Sequence, residues 1–245
     1  MNDKHSGPDP YANLSRRTSE HRHKTGLLIV GATVLVIVLF GVVALVITKS
    51  GDDDSANGSG AADNATQEQA AVTVVGEPLP AYPDTDSYLA PPDDDPAVGK
   101  VAPELEGQTF DGTPLTIDPT DGRAKVVIFV AHWCPHCQRE VPLIQKWLDD
   151  GNKPDNVDFY AVSTAVSADR PNYPPSAWLA DEGWTPPVML DSPDQTAAVA
   201  YGLPGFPYFV MMDASGKVTQ RASGEVPIDE FGELVDTLSS ASASS

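Results

Sequence analysis

Between Ala124 and Gly151 the chain reads AKVVIFVAHWCPHCQREVPLIQKWLDDG, and this stretch restricts the possible folds more than any other. Its first third is a nearly unbroken run of β-branched and aromatic residues. Such a run predicts a central strand buried on both faces. The period then changes. Val141, Ile144 and Leu148 fall on one helical face with Trp147 beside them, and Gly151 suits a helix stop. A buried strand passing directly into an amphipathic helix calls for an α/β layered domain. Both cysteines of the chain, Cys134 and Cys137, lie at the point where strand becomes helix.

The flanking sequence fits that architecture. QTFDGTPLTI predicts a β-hairpin turning at Asp111-Gly112. NVDFYAVST and PPVMLD read as strands, and PPSAWLADEG as a short helix. SPDQTAAVAYG reads as a helix opening near Ser192 or Asp194. FPYFVMMDASGKVTQRAS gives two strands joined at Ser215-Gly216. VPIDEFGELVDTLSS closes the domain as an amphipathic helix through Ile228, Phe231, Leu234, Val235 and Leu238.

Ahead of this domain, expected over residues 99–240, the composition divides into three parts. Residues 1–26 are polar and expected to form a cytoplasmic tail. Leu27–Ile47 carries no charge and no proline, and matches the ~20 residues a helix needs to cross a bilayer. Lys and Arg are concentrated before this run, so the N-terminus is expected in the cytoplasm and the C-terminal domain outside, at the cell membrane. The run is longer than the ~7–15 residues of a secretory signal core, and no A-x-A site follows at once, so an uncleaved anchor fits better. Residues 48–98 are rich in Asp, Ser, Ala, Gly and Pro and poor in large apolar side chains. A disordered linker is expected there. The formal charge is −20, and the acidic excess persists beyond Gly99, where 9 basic residues face 21 acidic ones. That balance argues against nucleic acid and anionic lipid as ligands.

An exported pair of cysteines sits where disulfides form and persist. Pro135 suits the first helical position, which places Cys134 near the N-cap, where unpaired N–H groups and the helix dipole stabilise a thiolate. His136, when protonated, adds positive charge. These effects lower a thiol pKa from ~8.5 toward ~3.5–7.5. Cys137, one turn further in, is expected to be the more buried, resolving thiol. Other uses of the pair fit less well. A disulfide closing so small a loop stabilises little. A zinc site normally draws on two separated ligand pairs, whereas no His or Cys follows Cys137. A Cys–His hydrolase needs a histidine from elsewhere, and His5, His21 and His23 all precede the apolar run.

FVAHWCPHC with Pro142 five residues beyond Cys137, and YGLPGFPYFVMMDASGKV, resemble the two active-site segments of the thioredoxin fold. VGKVAPELEGQTFDGTPLTI and the extra segment between Ser163 and Leu190 resemble the membrane-anchored TlpA/ResA-like branch of extracytoplasmic thiol-disulfide oxidoreductases. The resemblance implies a thioredoxin-like fold with an N-terminal β-hairpin extension and a central insertion. It also implies a cis Phe206-Pro207 bond beside the cysteines, with the backbone of Phe206 free to pair with a substrate chain. Trp133 is expected to shield one side of the site. Many thioredoxin-fold enzymes carry a buried carboxylate six residues before the first cysteine. Here that position is Ile128, so water or His132 is expected to move the proton of the resolving thiol, or that transfer is slow. Cys-Pro-His-Cys itself resembles the strongly oxidising DsbA family, whereas the overall layout resembles reductases, which leaves the direction of electron flow open.

The expectation is therefore an enzyme that exchanges disulfides with exported protein thiols and disulfides. No bound metal or cofactor is expected, and electrons pass to or from a membrane or extracytoplasmic redox partner. The alternative is a copper carrier or redox-linked metallochaperone, with Cu(I) held by Cys134, Cys137 and a nearby His, since soft thiolates favour that ion.

Overall fold

The structure, a computed structural model, describes residues 67–242. The expected tail and apolar run, and residues 48–66 of the expected linker, lie outside the described residues. Among the described residues no helix is long and apolar enough to cross a membrane.

β1 (Thr73–Val75), β2 (Glu104–Gln108) and β3 (Pro114–Ile117) form a small antiparallel sheet in that order. The β2–β3 hairpin is the one expected. Its turn places Gly112 at φ 81°, a left-handed conformation open to glycine at little cost, and the Thr109 N–H donates to the Thr113 carbonyl at 2.9 Å. A second sheet has the order β6-β5-β4-β7-β8. It is built from β4 (Ala124–Val130), β5 (Val157–Ser163), β6 (Val188–Leu190), β7 (Tyr208–Met212) and β8 (Val218–Ser223). β4, β5 and β6 run parallel; β7 pairs antiparallel with β4, and β8 antiparallel with β7. Parallel neighbours require crossovers, supplied by α1 (Pro135–Asp149) between β4 and β5 and by α2 (Pro175–Asp181) between β5 and β6. α3 (Thr196–Ala200) leads to β7, and α4 (Ile228–Ser242) ends the domain.

All seven residues of β4 are buried because both faces of its sheet are covered. Val126, Ile128 and Val130 pack with Val141 and Ile144 of α1 and Phe231 and Val235 of α4. The alternate residues Val127 and Phe129 pack on the other side with Tyr201, Tyr208, Leu105 and Ile117. The period-two alternation of strand side chains thus produces two cores from one strand.

Residues 67–98 correct the expectation of a disordered linker. β1 pairs with β2, Leu79 and Ala97 are buried, and the Leu79 N–H donates to the Ala200 carbonyl at 2.8 Å. The segment lacks apolar periodicity, so its anchor is polar. Asp95 and Arg221 form an ion pair with both side chains fully buried. The same guanidinium donates to the Pro80 carbonyl at 2.8 Å and to the Tyr208 hydroxyl oxygen at 3.0 Å. Gly202, at φ 72°, lets this strap close, since a Cβ there would meet the Pro80 carbonyl at 2.5 Å.

Candidate active site

The carboxyl end of β4 delivers the chain to Cys134, the N-cap of α1, with extended backbone (φ −76°, ψ 120°). Pro135 opens the helix, where its missing N–H leaves no bond unmade. The Cys134 N–H donates to the Ala131 carbonyl at 3.0 Å, which fixes the turn into the helix. Phe206-Pro207 is a cis bond. It lies against the first cysteine, whose thiol donates to the Phe206 carbonyl at 3.8 Å. The Trp133 and Phe206 rings meet edge to face at 5.9 Å.

The two thiols differ sharply. Cys134 is 6 % exposed and Cys137 is fully buried. The Cys134 thiol is pulled down to about 5, chiefly by the hydrogen bond from the Cys137 thiol. The Cys137 and His136 N–H groups at the helix start and the charge of the His136 imidazole act in the same direction, and burial opposes them. The Cys137 thiol is pushed far above the ordinary thiol range by burial, then by its bond to Cys134 and by the nearby charges of Cys134 and Glu140.

Glu140 is the buried ionisable group near the cysteines that residue patterning missed. It is 2 % exposed, and burial raises its carboxyl to about 7 even though the Val226 N–H donates to it at 3.2 Å. The signal was present in the sequence. Cys137, Glu140, Val141 and Ile144 follow the i, i+3, i+4, i+7 pattern of one helical stripe, and a carboxylate interrupts an otherwise apolar set. Glu140 thus places a buried carboxyl one helical turn beyond Cys137, on the helix and not on the strand position that Ile128 occupies.

His132 is not the substitute proton carrier. It is 1 % exposed. Its Nδ1–H donates to the Pro171 carbonyl at 2.7 Å, and its Nε2 accepts from the Ser167 N–H at 3.2 Å. Both ring nitrogens are therefore committed to the insertion, and burial lowers the pKa of the ring. His136 lies on the outside of α1. Its Nδ1 and the Arg139 guanidinium converge on one oxygen of Glu225, and Arg139, followed by His136, holds the Glu225 carboxyl below the usual range. The copper alternative needs a free imidazole beside the thiols, and these two are engaged elsewhere. Among the described residues no three His, Cys, Asp or Glu side chains gather as a metal site.

The family model described as Redoxin matches residues 97–238. The chain is 24 % identical over 142 residues to "Thiol-disulfide oxidoreductase ResA" of Geobacillus thermodenitrificans, an alignment covering 58 % of this chain and 78 % of that one. It is 26 % identical over 142 residues to "Thiol:disulfide interchange protein HelX" of Rhodobacter capsulatus, covering 57 % and 76 % respectively. Among solved structures, a thiol:disulfide interchange protein of the thioredoxin family from Chlorobium tepidum aligns with 27 % identity and a TM-score of 0.47, over 56 % of this chain and 94 % of that one.

Proposed function

The chain belongs to the Redoxin family and is a thiol-disulfide oxidoreductase, and from that premise we propose that it works outside the cell membrane. In this reading Leu27–Ile47 anchors it and it exchanges disulfides with exported proteins through Cys134 and Cys137. The observation that carries the proposal is the asymmetry of the pair. One thiol is at the helix start and ionised well below neutral pH, while the other is fully buried and held protonated.

In the reducing direction the Cys134 thiolate attacks a substrate disulfide. A bond forms between Cys134 and one substrate sulfur as the substrate S–S bond breaks, and the second substrate sulfur leaves as a thiolate that takes a proton. Glu140 then accepts the proton of Cys137. The Cys137 thiolate attacks Cys134, the mixed disulfide breaks, and the first substrate sulfur departs as a thiolate. Two electrons pass to the substrate, and Cys134–Cys137 becomes the disulfide. The oxidising direction is the reverse, and no bound cofactor is needed. A carboxyl poised near 7 suits this proton transfer, since a general base works best when its pKa lies near the working pH. The Phe206 backbone beside Cys134 is the docking point for the substrate chain, with Trp133 and Pro207 shaping the surface around it. Electrons are passed on to, or received from, a membrane or extracytoplasmic redox partner.

Cys134→Ser is expected to abolish exchange with a protein disulfide, whereas Cys137→Ala is expected to accumulate a stable mixed disulfide through Cys134. Residual turnover in Cys134→Ser, or trapping through Cys137 instead, would overturn the assignment. Non-reducing electrophoresis followed by peptide mapping distinguishes these outcomes.

A further inference from the structure

The insertion after β5 does more than connect two strands. Its first part, residues 164–173, is tied to the two residues that precede Cys134. In addition to the two ring bonds of His132, the Asn172 side-chain amide donates to the His132 carbonyl at 3.3 Å. The Trp133 indole N–H donates to the Ala165 carbonyl at 2.8 Å. Ala165 and Asn172 adopt left-handed backbone, at φ 51° and 59°. That conformation is disfavoured for a residue with a side chain, more for alanine than for asparagine, and it persists where the surroundings over-determine it, most often at functional sites. Here each strained residue also makes one of the bonds to His132 or Trp133.

What this loop holds in place is Arg170. Its guanidinium lies over the Trp133 ring, 4.9 Å from the centroid. Trp133 in turn meets Phe206, whose carbonyl accepts from the Cys134 thiol. Arg170 is exposed, and among the described residues it makes no ion pair, not even with its neighbour Asp169. The other cations flanking the cysteines, His136 and Arg139, are both engaged by Glu225. A chain with a formal charge of −20 therefore presents, among the described residues, a guanidinium without an ion-pair partner over the ring of the residue that precedes its reactive cysteine. Contact with the indole uses the face of a guanidinium and not its N–H donors, and those exposed donors are the part that binds a carboxylate with two parallel hydrogen bonds.

We propose that residues 164–173 form a recognition wall in which Arg170, held over Trp133, selects substrate polypeptides that carry an acidic side chain next to the reacting cysteine. The proposal rests on the reading of the chain as a thiol-disulfide oxidoreductase, and the test separates the two. Two peptides differ only in having Asp or Lys beside a single cysteine, which is activated as a 2-thiopyridyl disulfide. Attack by the Cys134 thiolate forms the enzyme–peptide disulfide, breaks the activated S–S bond and releases 2-thiopyridone, whose absorbance gives the rate. With the full-length protein, Arg170→Ala is expected to lower the ratio of Asp-peptide to Lys-peptide rates about fivefold, and Arg170→Glu to lower it further. Arg170→Lys keeps the charge but not the fork, and is expected to fall between wild type and Arg170→Ala. If both peptides react and the ratio is the same in wild type, Arg170→Ala and Arg170→Glu, the recognition wall is refuted while the exchange reading stands. If neither peptide reacts with the wild-type protein, the exchange reading itself fails.

Discussion

Two walls rise from the ends of the same nine-residue stretch, His132 to Glu140, and they are built on opposite principles. The wall on the α1–β8 side contains Cys137 and Glu140, both nearly devoid of solvent, and the Val226 N–H that holds the carboxylate. Its groups are only partly compensated, so each is poised to exchange a proton. The wall on the insertion side contains His132, buried just as deeply, yet both of its ring nitrogens are satisfied. Burial lowers the basicity of this histidine, and its hydrogen bonds fix a single tautomer. Comparable exclusion from solvent thus accompanies a carboxyl raised toward neutrality on one side and a fully bonded imidazole on the other. The difference lies in how many polar partners the surroundings supply.

Breaking the reactive wall should give the largest effect. Glu140→Gln keeps an acceptor for the Val226 N–H but removes the base. Resolution of the mixed disulfide by Cys137 should slow about 100-fold at neutral pH, and the inflection near pH 7 should vanish from its pH–rate profile. Rapid-quench trapping of the mixed disulfide measures both. An unchanged profile would mean that the carboxylate is a bystander.

The same substitution has a thermodynamic signature. The folded-state pKa of Glu140, about 7, lies above the ordinary value of 4.5. Its contribution to stability is therefore fully present below about pH 4.5 and is lost as pH rises through about 7, because the folded state binds the proton more tightly. Relative to Glu140→Gln, the wild-type protein in its reduced form should lose about 3 kcal/mol between pH 4.5 and 8. Paired denaturant titrations at several pH values test the sign directly.

His132→Phe should act on stability and leave resolution alone. It strands the Ser167 N–H and the Pro171 carbonyl, at a cost of about 1–3 kcal/mol. Burial depresses the His132 pKa, so its contribution is present above the unfolded value of about 6.5 and is lost as pH falls through the folded value. That acid-side slope should be absent in the variant. A slowed Cys137 step in His132→Phe would collapse the distinction between the two walls.

How far each wall could be read in advance follows from the range of its interactions. β4 and α1 were legible because a continuous apolar run and a 3.6-residue period are local signals. Cys134 at the N-cap and Pro135 at the first helical position follow from that boundary alone. Glu140 was legible in principle, as a carboxylate within the apolar stripe of α1. The embrace of Glu225 by His136 and Arg139 was not, because it joins residues 89 and 86 positions apart. Nor was the strap over residues 67–98, whose composition resembles a linker while its anchor, Asp95, finds Arg221 across 126 residues. Long-range polar contacts leave no periodicity, and so composition alone misjudged that segment.

His136 provides the finest comparison, because the tetrapeptide singles it out as the tuning residue whereas the geometry ranks it low. The largest influence lowering the Cys134 pKa is the hydrogen bond from the Cys137 thiol, and the charge of His136 is the weakest of those acting in that direction. Its imidazole is more than half exposed and faces Glu225, so solvent and a carboxylate both screen it. His136→Ala should therefore raise the Cys134 pKa by only about half a unit, or ~0.7 kcal/mol, and Cys137→Ala should raise it more. By the same bookkeeping the reduction potential of His136→Ala should fall by about 15 mV, since destabilising the thiolate destabilises the reduced form. Thiolate absorbance against pH, together with equilibration in glutathione buffers, gives both numbers. A fall approaching the ~150 mV that separates DsbA from thioredoxin would place control of the potential in His136 and not in the hydrogen bond between the two thiols.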